Sequence, residues 1–388
     1  MSAGILLTGN ELLEGFVRDI NTALIARFLI SSRRDPPRMS LMVPDDMEEI
    51  HRGLKTLMDE DFRVIIITGG MGPTEDDITV RAVAEFLGRP LERVEDFPTD
   101  FEKYRWKIQG FSMMSNPVGK APAMWGHHED RLIVLLPGVP QEVRGFLTRT
   151  RLGRIILDHL PVSDTFYLLI KTGGLSEREV RNILSGYYDR IGIPDYMATP
   201  SGVIIKLKGP EKDVRKRAEM LEKILGTYIW GYNDETLEEK VAMILKKRGL
   251  TISTAESCTS GKLPDLLTSV SGSSAYFRGG IVAYSTDVKI NVLGVPKEIV
   301  ERYTVYSHQV AAHMAANIRH IMKSHIGIST TGMAENPDGE PFAFVGIATD
   351  RVQTHYREFA GDRNLVRLSI AYYALFRLYQ ILTGKRSV

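Results

Sequence analysis

Two patterns in this chain could do chemistry. The first closes the apolar run VIIITGG at 64–70 and continues as GGMGPTEDD. Gly69, Gly70 and Gly72 free the backbone to take positive φ and let a ligand come close. The helix expected from about Asp77 to Leu87 would present unpaired N–H groups and a positive dipole end, which suits a phosphate. Asp76 and Asp77 are ill placed to hold an anion directly. They suit a hard divalent cation, such as magnesium, manganese or cobalt, that bridges to pyrophosphate oxygens. The plainer alternative is a strand-to-helix turn capped by Thr74, Asp76 or Asp77. The pattern is neither a Walker A loop nor a GxGxxG fingerprint.

The second pattern lies in the C-terminal third, in TISTAESCTSG (251–261), SGSSAYFRGGIVAYSTDVK (271–289), ISTTGMAENPDG (328–339) and AGDRNLVR (360–367). Hydrolysis through a covalent intermediate needs a nucleophile, a base to activate it and donors for the developing oxyanion. No cysteine–histidine arrangement stands out, whereas serines and a lysine do. Lys289 can act as a base only when unprotonated, which burial or a neighbouring cation such as Arg363 would favour. Tyr284 could relay a proton or hold the amine. Taken singly, these residues have ordinary readings: Ser257 and Thr259 as helix caps, Lys289 as a solvated lysine, Arg363 with Asp362 as a surface pair. Cys258 reads as a small buried residue, since no histidine is placed to activate it. His127 and His128 are adjacent and so poorly placed to face one metal ion.

Strands and helices must carry these turns. Strand patterns at 3–8, 38–43, 64–70 and 131–140 alternate with helix patterns at 20–32, 46–59, 77–87 and 141–158, which implies βαβ units and a parallel sheet. Ligands in such sheets bind at the carboxyl ends of the strands. The turns Gly9-Asn10-Glu11, Asn21-Thr22, Asn116 to Pro122 and Pro137 to Pro140 with Glu142 would gather there. Residues 163–232 change rhythm and predict a small α+β module. Asn233-Asp234 provides a joint and an N-cap signal for a helix ending at Gly249. The expected organisation is therefore α/β, with domains at 1–160 and 234–388 joined by a module at 161–233.

A chain of 388 residues is long enough for more than one core. Its net charge of +1, with acids and bases interleaved, gives no electrostatic case for a nucleic-acid or membrane partner. The single cysteine rules out an internal disulfide framework and fits a reducing compartment, and no apolar run approaches membrane-spanning length. A cytoplasmic location is expected, with a homodimer as the default assembly.

TGNELLEG, TGGMGPTEDDIT and LPGVPQE together resemble the N-terminal domain of the competence/damage-inducible (CinA) family, itself similar to molybdopterin-binding proteins. The middle module looks like that family's KH-like insert. The C-terminal segments resemble its nicotinamide-nucleotide amidase domain. The resemblance implies two three-layer α/β/α domains and a metal-dependent ADP-ribose pyrophosphatase site in the first half. Gly69, Gly70, Gly72, Thr74, Asn21 and Glu11 would contact substrate there, and Asp76 and Asp77 would hold the metal; a pterin is the alternative ligand. In the second half it implies deamidation of nicotinamide mononucleotide without a metal. Ser274 would be nucleophile and Lys289 its base, with Tyr284 and Thr331 as polar support and Arg363 and Gly332 binding substrate. Ser257 would line the pocket as second candidate for nucleophile.

The chain departs from the family pattern in places. Ser260 stands where ESCTGG has its second glycine. Glu335 and Asn336 precede the proline of the loop after Thr331-Gly332. FAFVG (342–346) replaces K-P-x-G, and TVYS (304–307) replaces G-A-V-S. These changes bear on substrate more than on reaction class. They leave room for a ligand-sensing or competence- and recombination-associated binding protein without turnover.

Overall fold

The computed structural model describes residues 2–385. The chain forms two compact units, one up to Phe166 and one from Tyr167 onward.

The first unit is built on eight strands: β1 (Ser2–Thr8), β2 (Met39–Val43), β3 (Phe62–Thr68), β4 (Leu91–Arg93), β5 (Trp106–Ile108), β6 (Ser112–Met114), β7 (Ala123–His128) and β8 (Arg131–Leu136). Six of them form one sheet in the order β2-β1-β3-β8-β7-β6. Strands β2, β1, β3 and β8 run parallel, while β7 and β6 are antiparallel additions. Helices α1 (Asn10–Leu13), α2 (Asn21–Ser31), α3 (Met47–Met58), α4 (Thr79–Phe86), α5 (Pro140–Arg149) and α6 (Arg151–Asp158) complete it. The unbroken apolar run of β3 follows from burial on both faces. Val64 and Ile66 pack with Ile25, Val143, Phe146 and Ile156 on one side. Ile65 and Ile67 pack with Ile50, Leu54, Ala82 and Val83 on the other.

The sequence reading of one helix over 141–158 is corrected. Thr150 is extended and caps α6 by accepting from Leu152 N–H, so the segment is two helices. The β4–β5 hairpin and β6 and β7 were not anticipated; three of these four have only three residues, too few for a period to register.

The second unit begins with a four-stranded sheet, β10-β11-β9-β12, made of β9 (Phe166–Thr172), β10 (Asp195–Thr199), β11 (Gly202–Gly209) and β12 (Ile229–Tyr232). It carries α7 (Glu177–Ser185), α8 (Tyr188–Ile191) and α9 (Glu211–Leu225). A capping box of Ser176 and Glu179 starts α7. This module packs into one unit with the C-terminal sheet. Arg357 donates to Gly174 O at 2.6 Å and pairs with Glu179 at 2.8 Å, and a Cβ on Gly173 would strike the Phe376 ring.

The C-terminal sheet has the order β14-β13-β15-β16-β17, from β13 (Ile252–Glu256), β14 (Phe277–Val282), β15 (Ile326–Met333), β16 (Phe342–Ala348) and β17 (Val352–Glu358). Strands β14, β13 and β15 are parallel, and β16 and β17 return antiparallel. Helices α10 (Leu237–Arg248), α11 (Lys262–Thr268) and α15 (Arg363–Thr383) cover one face. Helices α12 (Thr286–Asn291), α13 (Lys297–Tyr303) and α14 (His308–Ile321) cover the other. Helix α10 ends at Gly249 in the left-handed region, as its sequence predicts. Its N-cap is Thr236, which accepts from Glu239 N–H, and not Asn233-Asp234. Asn233 instead accepts from Leu169 N–H. Among the described residues no helix is long and apolar enough to cross a membrane.

Candidate active site

The carboxyl edge of the C-terminal sheet gathers the second site. Strand β13 ends at Glu256, and the chain turns through Ser257, Cys258 and Thr259 into α11. The Glu256 carboxylate is fully buried and anchors this turn. It accepts from Thr259 Oγ1 at 2.6 Å, from Leu263 N–H at 3.0 Å and from Gly261 N–H, so it also serves the first free donors of α11. Burial pushes its pKa above the usual carboxylate value, and these hydrogen bonds oppose that rise. Thr259 also meets Thr330 on β15, oxygen to oxygen at 2.7 Å. Ser257 N–H donates to Thr330 O. The backbone that carries Ser257 is thus fixed by strands on one side and a helix start on the other.

Lys289 enters from α12 and is 2 % exposed. Its Nζ lies 3.0 Å from Ser257 Oγ, 2.8 Å from Ala283 O and 3.2 Å from Tyr284 O. Burial lowers its pKa from the ordinary lysine value. A neutral amine has two N–H bonds and one lone pair. In the structure Nζ donates to all three oxygens; once deprotonated, its two N–H bonds stay with the carbonyls and the lone pair can accept the Ser257 hydroxyl proton. The cause of the lowered pKa is burial, and the proximity of Arg363 does not enter.

The pairing of Ser274 with Lys289 is corrected. Ser274 is exposed in a short turn, Ser273–Ala275, before β14, whereas Lys289 follows its far end. A six-residue strand spans roughly 20 Å, so the two occupy opposite edges of the sheet. The serine that meets the lysine is Ser257.

Tyr284 is exposed, and its hydroxyl accepts from Arg363 Nη2 at 3.3 Å. Its backbone carbonyl, and not its ring, holds the lysine amine. Thr331 is buried and donates to Val305 O at 2.8 Å, a structural bond. Gly332 sits where a Cβ would meet Phe342 O at 2.2 Å, so close strand packing requires a glycine there. Burial pushes the Cys258 thiol up to about 12, which leaves it protonated and inert. Ser260 takes φ 45°, the left-handed region that a glycine would occupy without strain. The altered segments meet one another. Tyr306 packs edge-on against Phe342, and Phe342, Phe344 and Tyr356 form one aromatic cluster.

The first site lies at the carboxyl ends of β1, β3 and β8, around a cavity of about 660 Å³ lined by Glu11, Asn21, Gly69, Gly70, Gly72 and Asp77 among others. Gly69 and Gly70 have φ of 110° and 56°, and a Cβ on Gly69 would lie 2.0 Å from Thr8 O. Asn21 donates to Thr68 Oγ1 at 3.0 Å and to Gly138 O at 2.7 Å, tying the start of α2 to the end of β3 and the loop after β8. Its own Oδ1 is buried without a partner among the described residues. Thr74 lines both this cavity's neighbour and the turn closed by Asp77, whose carboxylate accepts from Thr74 N–H at 3.0 Å and from its hydroxyl at 2.5 Å. Helix α4 starts later than expected, at Thr79, and no side chain caps it. Asp76 is exposed, and hydrogen bonding from Thr74 lowers its pKa.

Asp45, at the end of β2, escaped the sequence reading, as did Glu256 and Thr330. All three sit at strand ends or on the strands feeding the binding edge, and that position was the available signal. Asp45 Oδ1 is buried without a partner among the described residues, and burial raises the carboxyl pKa. Glu11, Asp77 and Asp76 add like charge. These hard oxygens and the orphaned acceptor fit a divalent cation. Among the described residues no group of three or more His, Cys, Asp or Glu side chains is arranged to hold a metal by itself. Ligand oxygens and water would therefore complete the shell, as magnesium usually has it.

Comparison with known proteins matches two stretches of the chain. Residues 234–382 fit the model of the CinA C-terminal domain, and residues 4–152 fit that of the probable molybdopterin binding domain. A CinA-like protein of Thermotoga maritima is 32% identical over 413 residues, covering 100% of this chain and 99% of its own. The chain belongs to the CinA family. A second member, a CinA-like protein of Flavobacterium psychrophilum, is 33% identical over 386 residues, covering 91% of this chain and 90% of its own. In this CinA-family chain the serine of the ESCT turn and the lysine of α12 are the pair in contact.

Proposed function

We propose that this CinA-family protein is a bifunctional hydrolase whose C-terminal site deamidates nicotinamide mononucleotide through Ser257 and Lys289. The observation that carries the reading is a buried lysine amine, without a carboxylate partner among the described residues, held 3.0 Å from a serine hydroxyl. Ser257 Oγ attacks the carboxamide carbon while its proton passes to the neutral Lys289 amine. Backbone N–H groups of the turn after Ser257 are the candidate donors to the oxyanion. As the tetrahedral intermediate collapses, the C–N bond breaks and Lys289 returns the proton to the leaving ammonia. Water then attacks the ester on Ser257 while Lys289 takes its proton, and as the acyl C–O bond breaks Lys289 returns that proton to Ser257 Oγ and the nicotinate product leaves. Arg363, whose planar fork suits carboxylate or phosphate, orients the substrate. The test is ammonia release from nicotinamide mononucleotide by the purified chain, abolished in Ser257→Ala.

For the first unit the reading is an ADP-ribose pyrophosphatase. Support comes from the left-handed Gly69-Gly70 turn beside Asp45, Asp77 and Glu11 at the edge of the sheet. What a bound divalent cation supplies is neutralisation of pyrophosphate charge. Asp45 and Asp77 would hold it, and Asn21 would position a substrate polar group. Formation of AMP from ADP-ribose, lost in Asp77→Ala, tests this. The description of the matching model favours a second reading at the same cavity, a pterin ligand. Tight pterin binding without AMP formation would select it.

A further inference from the structure

Sheet order sets the relationship that matters here. Strand β13, which delivers Ser257, lies between β14 and β15. Tyr284 follows the end of β14, and Glu335 follows the end of β15. The Arg363 side chain, from the first residue of α15, reaches both. Its Nη2 donates to the Tyr284 hydroxyl at 3.3 Å, and its Nη1 pairs with Glu335 Oε2 at 3.5 Å. The guanidinium therefore links the exits of β14 and β15, the strands on either side of the one that leads into the serine turn. Its partners stay reachable: the Arg363 and Glu335 side chains are 48% and 73% exposed. The loop bearing Glu335 is braced by Asn336, which donates to Glu340 O at 3.1 Å and accepts from Asp338 N–H at 3.2 Å.

We infer that Glu335 is a charge filter on the Arg363 clamp, setting how strongly the amidase site prefers unphosphorylated to phosphorylated amides. The inference rests on the Ser257–Lys289 reading for the location of the reacting amide. A ligand phosphate must compete with the Glu335 carboxylate for the guanidinium and approach it against like charge. An unphosphorylated ligand meets neither obstacle. The contact is loose and solvated, so a substrate anion displaces it at modest cost. The filter is graded and does not block the site.

The experiment uses the full chain with Glu335→Gln, which keeps size and polarity and removes the charge. The probes are nicotinamide mononucleotide and nicotinamide riboside, which differ by one phosphate. Binding is measured by calorimetry in a Ser257→Ala background, so that the result does not depend on turnover. The expected outcome is that Glu335→Gln tightens the mononucleotide about three- to tenfold and leaves the riboside within about twofold. The gain should shrink in high salt and vanish when Arg363→Gln is added. Equal change for both probes, no change, or no binding of either probe overturns the filter. Loss of ammonia release in the unmutated chain, with the binding difference intact, would sink the amidase reading and leave the filter standing.

Discussion

Lys289 Nζ and Ser257 Oγ sit 3.0 Å apart although 32 residues separate them in the chain. The contact exists because parallel strands β13 and β14 end side by side, bringing the ESCT turn against the start of α12. Replacing Ser257 by alanine should cut ammonia release by about a thousandfold or more, since a nucleophile has no substitute in this mechanism. Ser274→Ala, at the other edge of the sheet, should stay within about twofold of the parent. Steady-state ammonia assays on the two variants decide between them; loss in Ser274→Ala alone would reverse the assignment.

Burial lowers the Lys289 pKa, and this has two consequences for pH. Activity needs the neutral amine, so kcat/KM should rise with pH through a lysine ionisation below the usual value of about 10.4. Lys289→Arg keeps bulk and charge but cannot deprotonate, and should lose about 100- to 10,000-fold. For stability the sign runs the same way. Between the folded and unfolded pKa values the unfolded chain binds more protons, so stability rises with pH across that window. Lys289→Met should remove the rise, which urea titrations at graded alkaline pH would show.

Much of this site was legible in the sequence, and the part that was not has a physical cause. The β13, β14 and β15 runs, the Gly249 stop and the glycine turn at 69–70 all carry local signals, an apolar period or a positive-φ residue. Lys289 was singled out as the base on chemical grounds. Which serine it meets was decided by strand direction: SGSS and ESCT are both polar turns, and one lies at each end of the sheet. Composition is blind to that difference. Asp45 was missed for a similar reason, since VPDD looks like any loop until β2 is seen to lie beside β1. Short strands such as β4 to β6 carry too few residues to show a period at all.

The two proposed chemistries differ in their need for metal, so a chelator should separate them. Stripping divalent cations should abolish AMP formation from ADP-ribose. It should leave ammonia release unchanged, because the Ser257–Lys289 pair draws its activation from burial. Adding back magnesium, manganese or cobalt should restore only the first activity. Asp45→Asn should weaken that restoration, seen as a higher metal concentration for half-maximal rate. A chelator that silences both activities would contradict the division.

The last prediction concerns the backbone at the first site. Gly69 has φ 110°, and a Cβ there would stand 2.0 Å from the Thr8 carbonyl oxygen, part of the backbone of β1. Neither the conformation nor the space tolerates a side chain. Gly69→Ala should destabilise the first unit by at least about 2 kcal/mol, combining left-handed strain with forced separation of β1 and β3. Gly88 has φ 63° but open space around its missing Cβ. Gly88→Ala should therefore pay only the left-handed cost, about 1 kcal/mol. Thermal unfolding of both variants measures the difference between them, which reports how closely the glycine turn is pressed onto β1. Equal losses would mean that this turn is free to move away, and the fixed cavity edge it is taken to form would not exist.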